Sequence, residues 1–280
     1  MERYEGSTSP TQDDVAEHYK SGYEGSRLES GAGQLDKVRS RELIKRFFPD
    51  PPGVVVDAGG GTGAYACWLA EKGYEVHMID IVPLHVELAK KASDSQPETP
   101  LASAEVGDAC NLPWDEGFAD AALLFGPLYH LTDRNDRITA LKESYRVLKK
   151  GGILMCVGIT RFGSVLDGIA SGYIKDPVFR PIVERDLKEG QHRNPTNHPH
   201  YFMKTFFHHP DELKEEVLEA GFTGGDIYGV EGPCWLLHDF DDWWSDEDLK
   251  EELISIARKL EQEPALLGIS AHLVAVGRKL

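Results

Sequence analysis

The chain has 280 residues, of which 41% are hydrophobic, so it is long enough to bury one substantial core. Its formal net charge of −17 disfavours a DNA or RNA substrate, because phosphate backbones are normally bound through a basic surface. The segment from Met1 to Tyr23 lacks the apolar centre of a signal peptide, and no apolar run reaches the roughly 18 residues of a membrane span. We therefore expect a cytoplasmic protein without a membrane partner.

The cysteines give no sign of a metal site or of disulfides. They are widely separated and form no CxxC pair; the four are Cys67, Cys110, Cys156 and Cys234. This usage is typical of a reduced, cytosolic setting.

Apolar runs alternate with amphipathic stretches between Gln34 and Ile159. Helices are predicted at Gln34–Phe48, Ala64–Lys72, Leu84–Ala92 and Asp136–Lys149, and strands at Val54–Val56, Glu75–Ile79, Ala102–Val106, Ala119–Phe125 and Ile153–Ile159. Alternation of this length is typical of a mostly parallel sheet with crossover helices on both faces. The predicted fold is α/β and Rossmann-like.

The alternation stops after Ile159 and returns near the end of the chain. A helix is predicted at Asp211–Ala220, strands at Thr223–Val230 and Ile269–Val276, and a further helix at Asp246–Leu260. We divide the chain into an N-terminal flexible or lid segment (1–33), a cofactor-binding core (34–159), a lid insertion (160–210) and a completion of the sheet (211–280). The last part contains a second insertion at 231–268.

A glycine-rich turn follows the first predicted strand. Gly59, Gly60, Gly61 and Gly63 stand between that strand and a helix, where glycine permits positive φ and close approach of a ligand. An ordinary tight turn would use the same residue type. The spacing Gly59-x-Gly61-x-x-Ala64 also satisfies the dinucleotide fingerprint, so the glycines alone leave NAD open.

Three carboxylates at successive strand ends favour S-adenosylmethionine over NAD. Asp57 would face a pyrophosphate unfavourably, but it can orient the turn beside a cationic sulfonium or ammonium. Asp80 closes the second strand, where a carboxylate can accept hydrogen bonds from both ribose hydroxyls. Asp108 follows the third strand and can accept one from an adenine amine. Taken singly, each could be a solvated charge.

With these residues the chain resembles the class I S-adenosylmethionine-dependent methyltransferases. The matching stretches are Val54–Gly63, Ile79–Asp80, Gly107–Ala109 and Phe125–Leu131. The resemblance implies a seven-stranded sheet with one antiparallel edge strand, and methyl transfer. It places Gly59 and Gly61 beside the methionine moiety, Asp80 beside the ribose, and Asp108 with Ala109 beside the adenine. Leu112, Pro113 and Trp114 match a stretch that the family uses beside that ring. The full set of candidate cofactor contacts is Asp57, Gly59, Gly61, Asp80, Ile81, Asp108, Ala109, Phe125 and Tyr19.

The fourth strand ends near Phe125, so the following residues should border the transferred methyl group. His130 is the candidate general base, needed only if the acceptor arrives protonated, and Tyr129 is the candidate orienting group. Each could instead serve packing. The family's tetrad for nucleobase and glutamine methylation, Asn/Asp-Pro-Pro-Tyr/Phe, is absent here, which agrees with the charge argument.

Both insertions leave from strand ends on the same edge, so they are expected to cover the cofactor together with the N-terminal segment. The candidate substrate contacts are Tyr23, Arg27, His200, Tyr201 and Trp235. The lid histidines lack a nearby carboxylate at a recognised ligand spacing, so we expect no metal.

These observations predict a methyltransferase that uses S-adenosylmethionine for N- or O-methylation of a small molecule. Two alternatives remain open: an NAD(P)-dependent oxidoreductase and a non-catalytic S-adenosylmethionine-binding protein. The sequence does not indicate the acceptor or the oligomeric state.

Overall fold

A nine-stranded sheet organises the part of the chain that the computed structural model describes, residues 28–196, 198 and 201–280. The first five strands are parallel and lie in the order β3-β2-β1-β4-β5. The strands are β1 (Val54–Ala58), β2 (Glu75–Asp80), β3 (Ser103–Val106), β4 (Ala119–Leu124), β5 (Leu148–Thr160), β6 (Gln191–His192), β7 (Thr205–His208), β8 (Thr223–Gly229) and β9 (His272–Arg278). β9 pairs antiparallel with both β5 and β8, so β8 runs in the same direction as β1. These seven strands, β1–β5, β8 and β9, confirm the predicted Rossmann-like, mostly parallel core.

The family resemblance implied that the antiparallel strand lies at the edge of the sheet. This expectation is wrong, because β9 lies between β5 and β8. Leu273, Val274 and Ala275 of β9 are fully buried, as an apolar run inside a sheet requires. β8 takes the edge, where the pairing with β9 shifts register between Gly224 and Asp226. A glycine-containing irregularity of this kind is typical of edge strands.

Helices cover both faces of the sheet. They are α1 (Gly33–Phe47), α2 (Ala64–Glu71), α3 (Pro83–Asp94), α4 (Pro127–His130), α5 (Arg134–Val147), α6 (Gly163–Ala170), α7 (Arg180–Glu189), α8 (Pro210–Glu219), α9 (Phe240–Ser245) and α10 (Glu247–Leu260). Val55 and Leu123 pack with side chains of α1, α2 and α3, whereas their neighbours Val56 and Leu124 pack with those of α5 and α8. Within the described residues, no helix combines the length and the apolar character needed to cross a membrane.

The first insertion contains regular structure that the sequence pattern did not indicate. Helices α6 and α7 and the hairpin β6–β7 form within it, although each is too short to give a long periodic run. Ile159 of β5 pairs with Phe207 of β7 and also with His272 of β9. Because a strand has two edges, β7 must lie on the β4 side of β5, beyond Leu124 where β4 ends. The hairpin therefore stands directly over the carboxyl end of β4.

A buried ion cluster fixes this hairpin to the core. The guanidinium of Arg137 donates to Glu216 (Nη2 to Oε1, 2.8 Å), and Nε2 of His208 lies 3.3 Å from Oε2 of the same carboxylate. All three residues are at most 2% exposed. Burial alone would raise the pKa of Glu216, yet the hydrogen bonds from His208 and Arg137 lower it to about 2. The cluster joins α5, α8 and β7.

We expect Glu216→Gln to destabilise the protein by about 3 kcal/mol at pH 7, because it leaves the Arg137 charge buried without its partner. Urea unfolding measures this loss. The control is Glu219→Gln, since Glu219 is half exposed and pairs with Arg134 at 2.6 Å; it should cost clearly less, because water screens an exposed ion pair. In the wild type, the stability due to Glu216 should be lost as pH falls from about 4.5 towards 2. Equal losses in the two variants would contradict this role.

Candidate active site

The carboxyl ends of β1 to β4 border an open cavity with about 730 Å³ of empty space, the part open to solvent included. This edge is where doubly wound sheets bind ligands. Nine of the residues proposed from sequence line it: Gly59, Gly61, Asp80, Ile81, Asp108, Ala109, Phe125, Tyr129 and His130. Six more residues line it: Gly126 and Pro127, which belong to the segment after Phe125 expected here, and Val82, His85, Gly107 and Leu131.

The glycine-rich turn forms one wall of the cavity. The backbone N–H groups of Gly59 and Gly60 donate to the carbonyl of Ile79 at 2.8 and 3.2 Å, which fixes the turn to the end of β2. Gly59 has a φ of +78°, and a Cβ on it would lie 2.5 Å from the ring of Pro127. Glycine is therefore required here for both its conformation and its small size.

Asp80 lies at the floor of the cavity with its carboxylate held on both sides. Oδ2 accepts from the N–H of Gly61 at 2.8 Å, and Oδ1 accepts from the N–H of Val82 at 2.8 Å. Nδ1 of His85, in the first turn of α3, lies 3.1 Å from Oδ1. His85 was not among the candidates from sequence; its position five residues after a strand-end acid, in the first turn of α3, was the available signal.

Asp57 lies beneath the glycine turn rather than in the cavity wall. Its side chain is 1% exposed, and its Oδ2 has no hydrogen-bond partner among the described residues. A Cβ on Gly60 would lie 2.8 Å from that oxygen, so the carboxyl group faces the underside of the turn. Burial, and then the charge of Asp80, raise the pKa of Asp57 to about 7.

Asp108 and Ala109 lie at the end of β3, on the cavity side. Asp108 is exposed, and its Oδ1 accepts from the N–H of Cys110 at 2.8 Å. The neighbouring stretch does not reach the cavity, which corrects the expectation from the family resemblance. Leu112 is buried in the core, and the indole of Trp114 stacks on Phe118 with centroids 5.9 Å apart.

The opposite wall comes from the segment after β4. Tyr129 is buried and its ring lies 4.7 Å from that of His130, so the two rings form one surface. The ring of Phe125 packs edge-on against Tyr65 at 5.3 Å. The short helix α4 thus presents one aromatic and one titratable ring to the same cavity that Asp80 and the glycine turn border.

Two candidate substrate contacts lie away from this cavity. Tyr201 is 4% exposed, packs on Phe179 inside the first insertion, and its hydroxyl donates a hydrogen bond to Asp176 at 2.6 Å. The indole N–H of Trp235 donates to the carbonyl of Ile269 at 2.7 Å. Neither residue lines the cavity. Four other candidates lie outside the described residues: Tyr19, Tyr23, Arg27 and His200.

One group of side chains has metal-ligand chemistry, although the sequence predicted no metal. Asp36, Glu231 and His272 each bring a ligand atom within 4.8 Å of the others. Nδ1 of His272 lies 2.5 Å from Oε1 of Glu231, a hydrogen-bond distance, and Oε2 of Glu231 accepts from Ser270 and from the His272 backbone. These contacts describe a hydrogen-bonded group that ties the end of β8 to the start of β9.

Residues 56–156 match the family model described as a methyltransferase domain. This segment is a methyltransferase domain. Among curated proteins, the ubiquinone/menaquinone biosynthesis C-methyltransferase UbiE of Caulobacter vibrioides is 31% identical over 150 residues, which are 51% of this chain and 57% of the relative. The chain therefore spans little more than half the length of that relative.

Solved structures show the same fold. A possible histamine N-methyltransferase from Thermotoga maritima superposes with a TM-score of 0.57 at 19% identity, over 96% of this chain and 100% of its own. The (4+2)-cyclase SpnF gives a TM-score of 0.60 at 18% identity, over 98% and 99%. The family model confirms a methyltransferase domain over residues 56–156, and the solved structures show its fold; the predicted cofactor of such a domain is S-adenosylmethionine.

The residues of the methyltransferase domain fit this cofactor. Carboxylates stand at three strand ends, one of them with an unpartnered buried oxygen, and no lysine or arginine lines the cavity among the described residues. A site for a pyrophosphate would need donors or positive charge where these acids stand. The donor set therefore suits a sulfonium cofactor better than NAD.

We expect Asp57→Asn to stabilise the protein more at pH 8 than at pH 4.5. The native carboxyl, with a pKa of about 7, keeps its proton to a higher pH than the unfolded one. Its contribution to the free energy of unfolding therefore falls as pH rises from about 4 to about 7, and the amide removes this fall. Urea unfolding at both pH values provides the measurement.

The control is Asp120→Asn, for which the expected change in stability at pH 8 has the opposite sign. Hydrogen bonds from Lys149 and Val54 outweigh burial and lower the pKa of Asp120. Asp120→Asn should therefore lose stability at pH 8 relative to the wild type. If Asp57→Asn behaved in the same way, the carboxyl would have a compensating partner after all.

Proposed function

We propose that the protein transfers a methyl group from S-adenosylmethionine to a small-molecule acceptor in the cavity at the carboxyl edge of β1 to β4. The observation that carries the proposal is the single cavity that Asp80, the glycine turn and His130 share. The acceptor atom is nitrogen or oxygen by the sequence argument. Carbon is a third possible acceptor atom, because the curated relative is named a C-methyltransferase.

The cofactor contacts are proposed in the order of the strands. Asp80 would accept from the ribose hydroxyls, Asp108 and Ala109 would border the adenine, and Gly59 with Gly61 would border the methionine moiety. Ile81 and Phe125 also line the cavity. Asp80 already accepts two backbone N–H groups, which hold its carboxylate in a fixed orientation for a ligand.

When bound, the cofactor supplies an electrophilic methyl group on a sulfonium. The work of the protein is then to hold the acceptor in line with that methyl and to exclude water. Tyr129 offers a buried ring against which an acceptor can be oriented. His130 would remove the acceptor's proton where the acceptor carries one, a contribution of roughly 10²–10⁴ in rate.

The lid is assigned by position. Segment 160–210 leaves from β5 and 231–268 from β8, and the ends of both strands lie on the cavity edge of the sheet. We propose that these two segments close over the acceptor, with 1–33 as a third part and 34–159 as the cofactor-binding core. A cytoplasmic location and the absence of a nucleic-acid partner remain predictions from composition.

The test of the cofactor site is a thermal-shift comparison of S-adenosylhomocysteine with NADH. A ligand that binds only the native state raises Tm, so S-adenosylhomocysteine should raise it and NADH should not. Asp80→Ala should abolish the shift, because it removes the proposed ribose acceptor. Glu105→Ala is the control, since Glu105 is an exposed acid on the neighbouring strand. A shift with NADH alone would overturn the assignment in favour of an oxidoreductase.

We expect His130→Ala to reduce methyl transfer by about 100-fold or more while S-adenosylhomocysteine affinity stays within about threefold. The assay follows labelled methyl from S-adenosylmethionine into a panel of hydroquinones, phenols and primary amines. His238→Ala, at an exposed histidine outside the cavity, is the matched control. Near-normal transfer by His130→Ala would reduce His130 to packing. Cofactor binding without transfer to any acceptor would favour the non-catalytic alternative.

A further inference from the structure

The carboxyl group of Asp57 is buried without a compensating charge. It is 1% exposed, its Oδ2 has no hydrogen-bond partner among the described residues, and no described lysine or arginine forms an ion pair with it. An ionised carboxylate in such a place is costly unless a positive charge is brought to it.

The groups that face Asp57 are neutral or negative. Asp80 of β2 acts on Asp57 with a negative charge, and His85 of α3 lies against the carboxylate of Asp80. From α2 comes Cys67, whose pKa is raised to about 11 by burial and then by the charges of Glu71 and Asp57. From β4 the paired neighbour is Leu123, which is apolar. Among the described residues, the surroundings of Asp57 therefore offer no cation, whereas a positively charged ligand would supply one.

Asp57 is also close enough to the cavity for its charge to matter there. Its carboxyl lies under Gly60, while the adjacent Gly59 and Gly61 line the cavity. One layer of backbone thus separates the carboxyl from a ligand seated on the turn. Charges at such a separation interact strongly when water is excluded.

We propose that Asp57 makes the site select the sulfonium form of the cofactor over its neutral-sulfur product, S-adenosylhomocysteine, by giving up a proton when the positive charge arrives. The inference rests on the proposed cofactor site and adds to it a means of discrimination. Asp57 acts through its charge and does not touch the reacting atoms.

Binding of the sulfonium changes the protonation of Asp57. In the free protein the pKa of about 7 leaves the carboxyl about half protonated at neutral pH. A sulfonium above the turn favours the carboxylate, and the released proton goes to the buffer. S-Adenosylhomocysteine carries no charge at sulfur, so it leaves the carboxyl closer to its free state. The affinity for S-adenosylmethionine should therefore rise about tenfold from pH 6 to pH 8, relative to that for the product.

The experiment is titration calorimetry of the full chain with S-adenosylmethionine and with S-adenosylhomocysteine at pH 7, in phosphate and in Tris. The two buffers differ in ionisation enthalpy, so the difference in heat counts the protons released. We expect about 0.5 proton with the sulfonium ligand, and clearly fewer with the product. Asp57→Asn should abolish this difference and reduce the preference for the sulfonium. Its titrations also subtract any proton lost by the ligand's own amino group.

Glu105→Gln serves as the control for an exposed carboxylate at the same sheet edge and should match the wild type. Equal proton release with the two ligands, or none with either, overturns the inference while leaving the cofactor site intact. If neither ligand binds, the proposed function itself fails. Should Asp57→Asn not fold, wild-type affinities at pH 6 and pH 8 still decide, because the inference requires the preference for S-adenosylmethionine to rise about tenfold between them and is overturned if it does not.

Discussion

The parallel pairing of β1 with β2 is the constraint on which the site depends. The register that sets Ala58 beside Ile79 brings Asp57 and Asp80 to one edge of the sheet, within reach of each other's charge. The protein compensates only one of them. Asp80 receives two backbone N–H groups and the imidazole of His85, whereas Asp57 keeps a buried oxygen without a partner among the described residues. Uncompensated polar groups of this kind are found mainly where a ligand completes the structure.

A shared backbone carbonyl also connects the first insertion to this edge. Thr132 follows the His130 segment, and its carbonyl accepts from Arg137 of α5 at 3.2 Å and from Gln191 of β6 at 2.8 Å. Arg137 also donates to the carbonyl of Leu131, a cavity residue, at 2.9 Å. The base of the first insertion is thus an extension of the sheet, held by buried charges, and it shares its attachment with the wall that carries His130.

The sequence predicted the features that depend on order along the chain. Apolar runs and glycine punctuation predict the strands and helices of the core. The rule that parallel strand ends meet at one edge brings Asp80, Asp108 and the segment after Phe125 together without any coordinates. Nine candidate residues line the cavity for that reason.

Features that depend on packing between distant segments could not be predicted in this way. The elements of the first insertion are short, so they give no periodic signal, and the packing of the Tyr201 ring on Phe179 could not be predicted from the sequence. His85 reaches the cavity only through the helix that follows Asp80. The place of β9 between β5 and β8 requires knowing that Leu273 to Ala275 are buried by neighbours on both sides.

The close packing of Gly59 against Pro127 restricts which substitutions the cavity wall can accept at these two positions. The proline ring occupies the position of a Gly59 side chain, so the turn and the start of α4 form one continuous wall. A substitution in the glycine turn or at the start of α4 would displace the other, and would therefore disturb the proposed cofactor site. Relatives of this chain that acquire new acceptors would therefore be expected to change the two insertions, where variation is tolerated, and to preserve this proline–glycine pair.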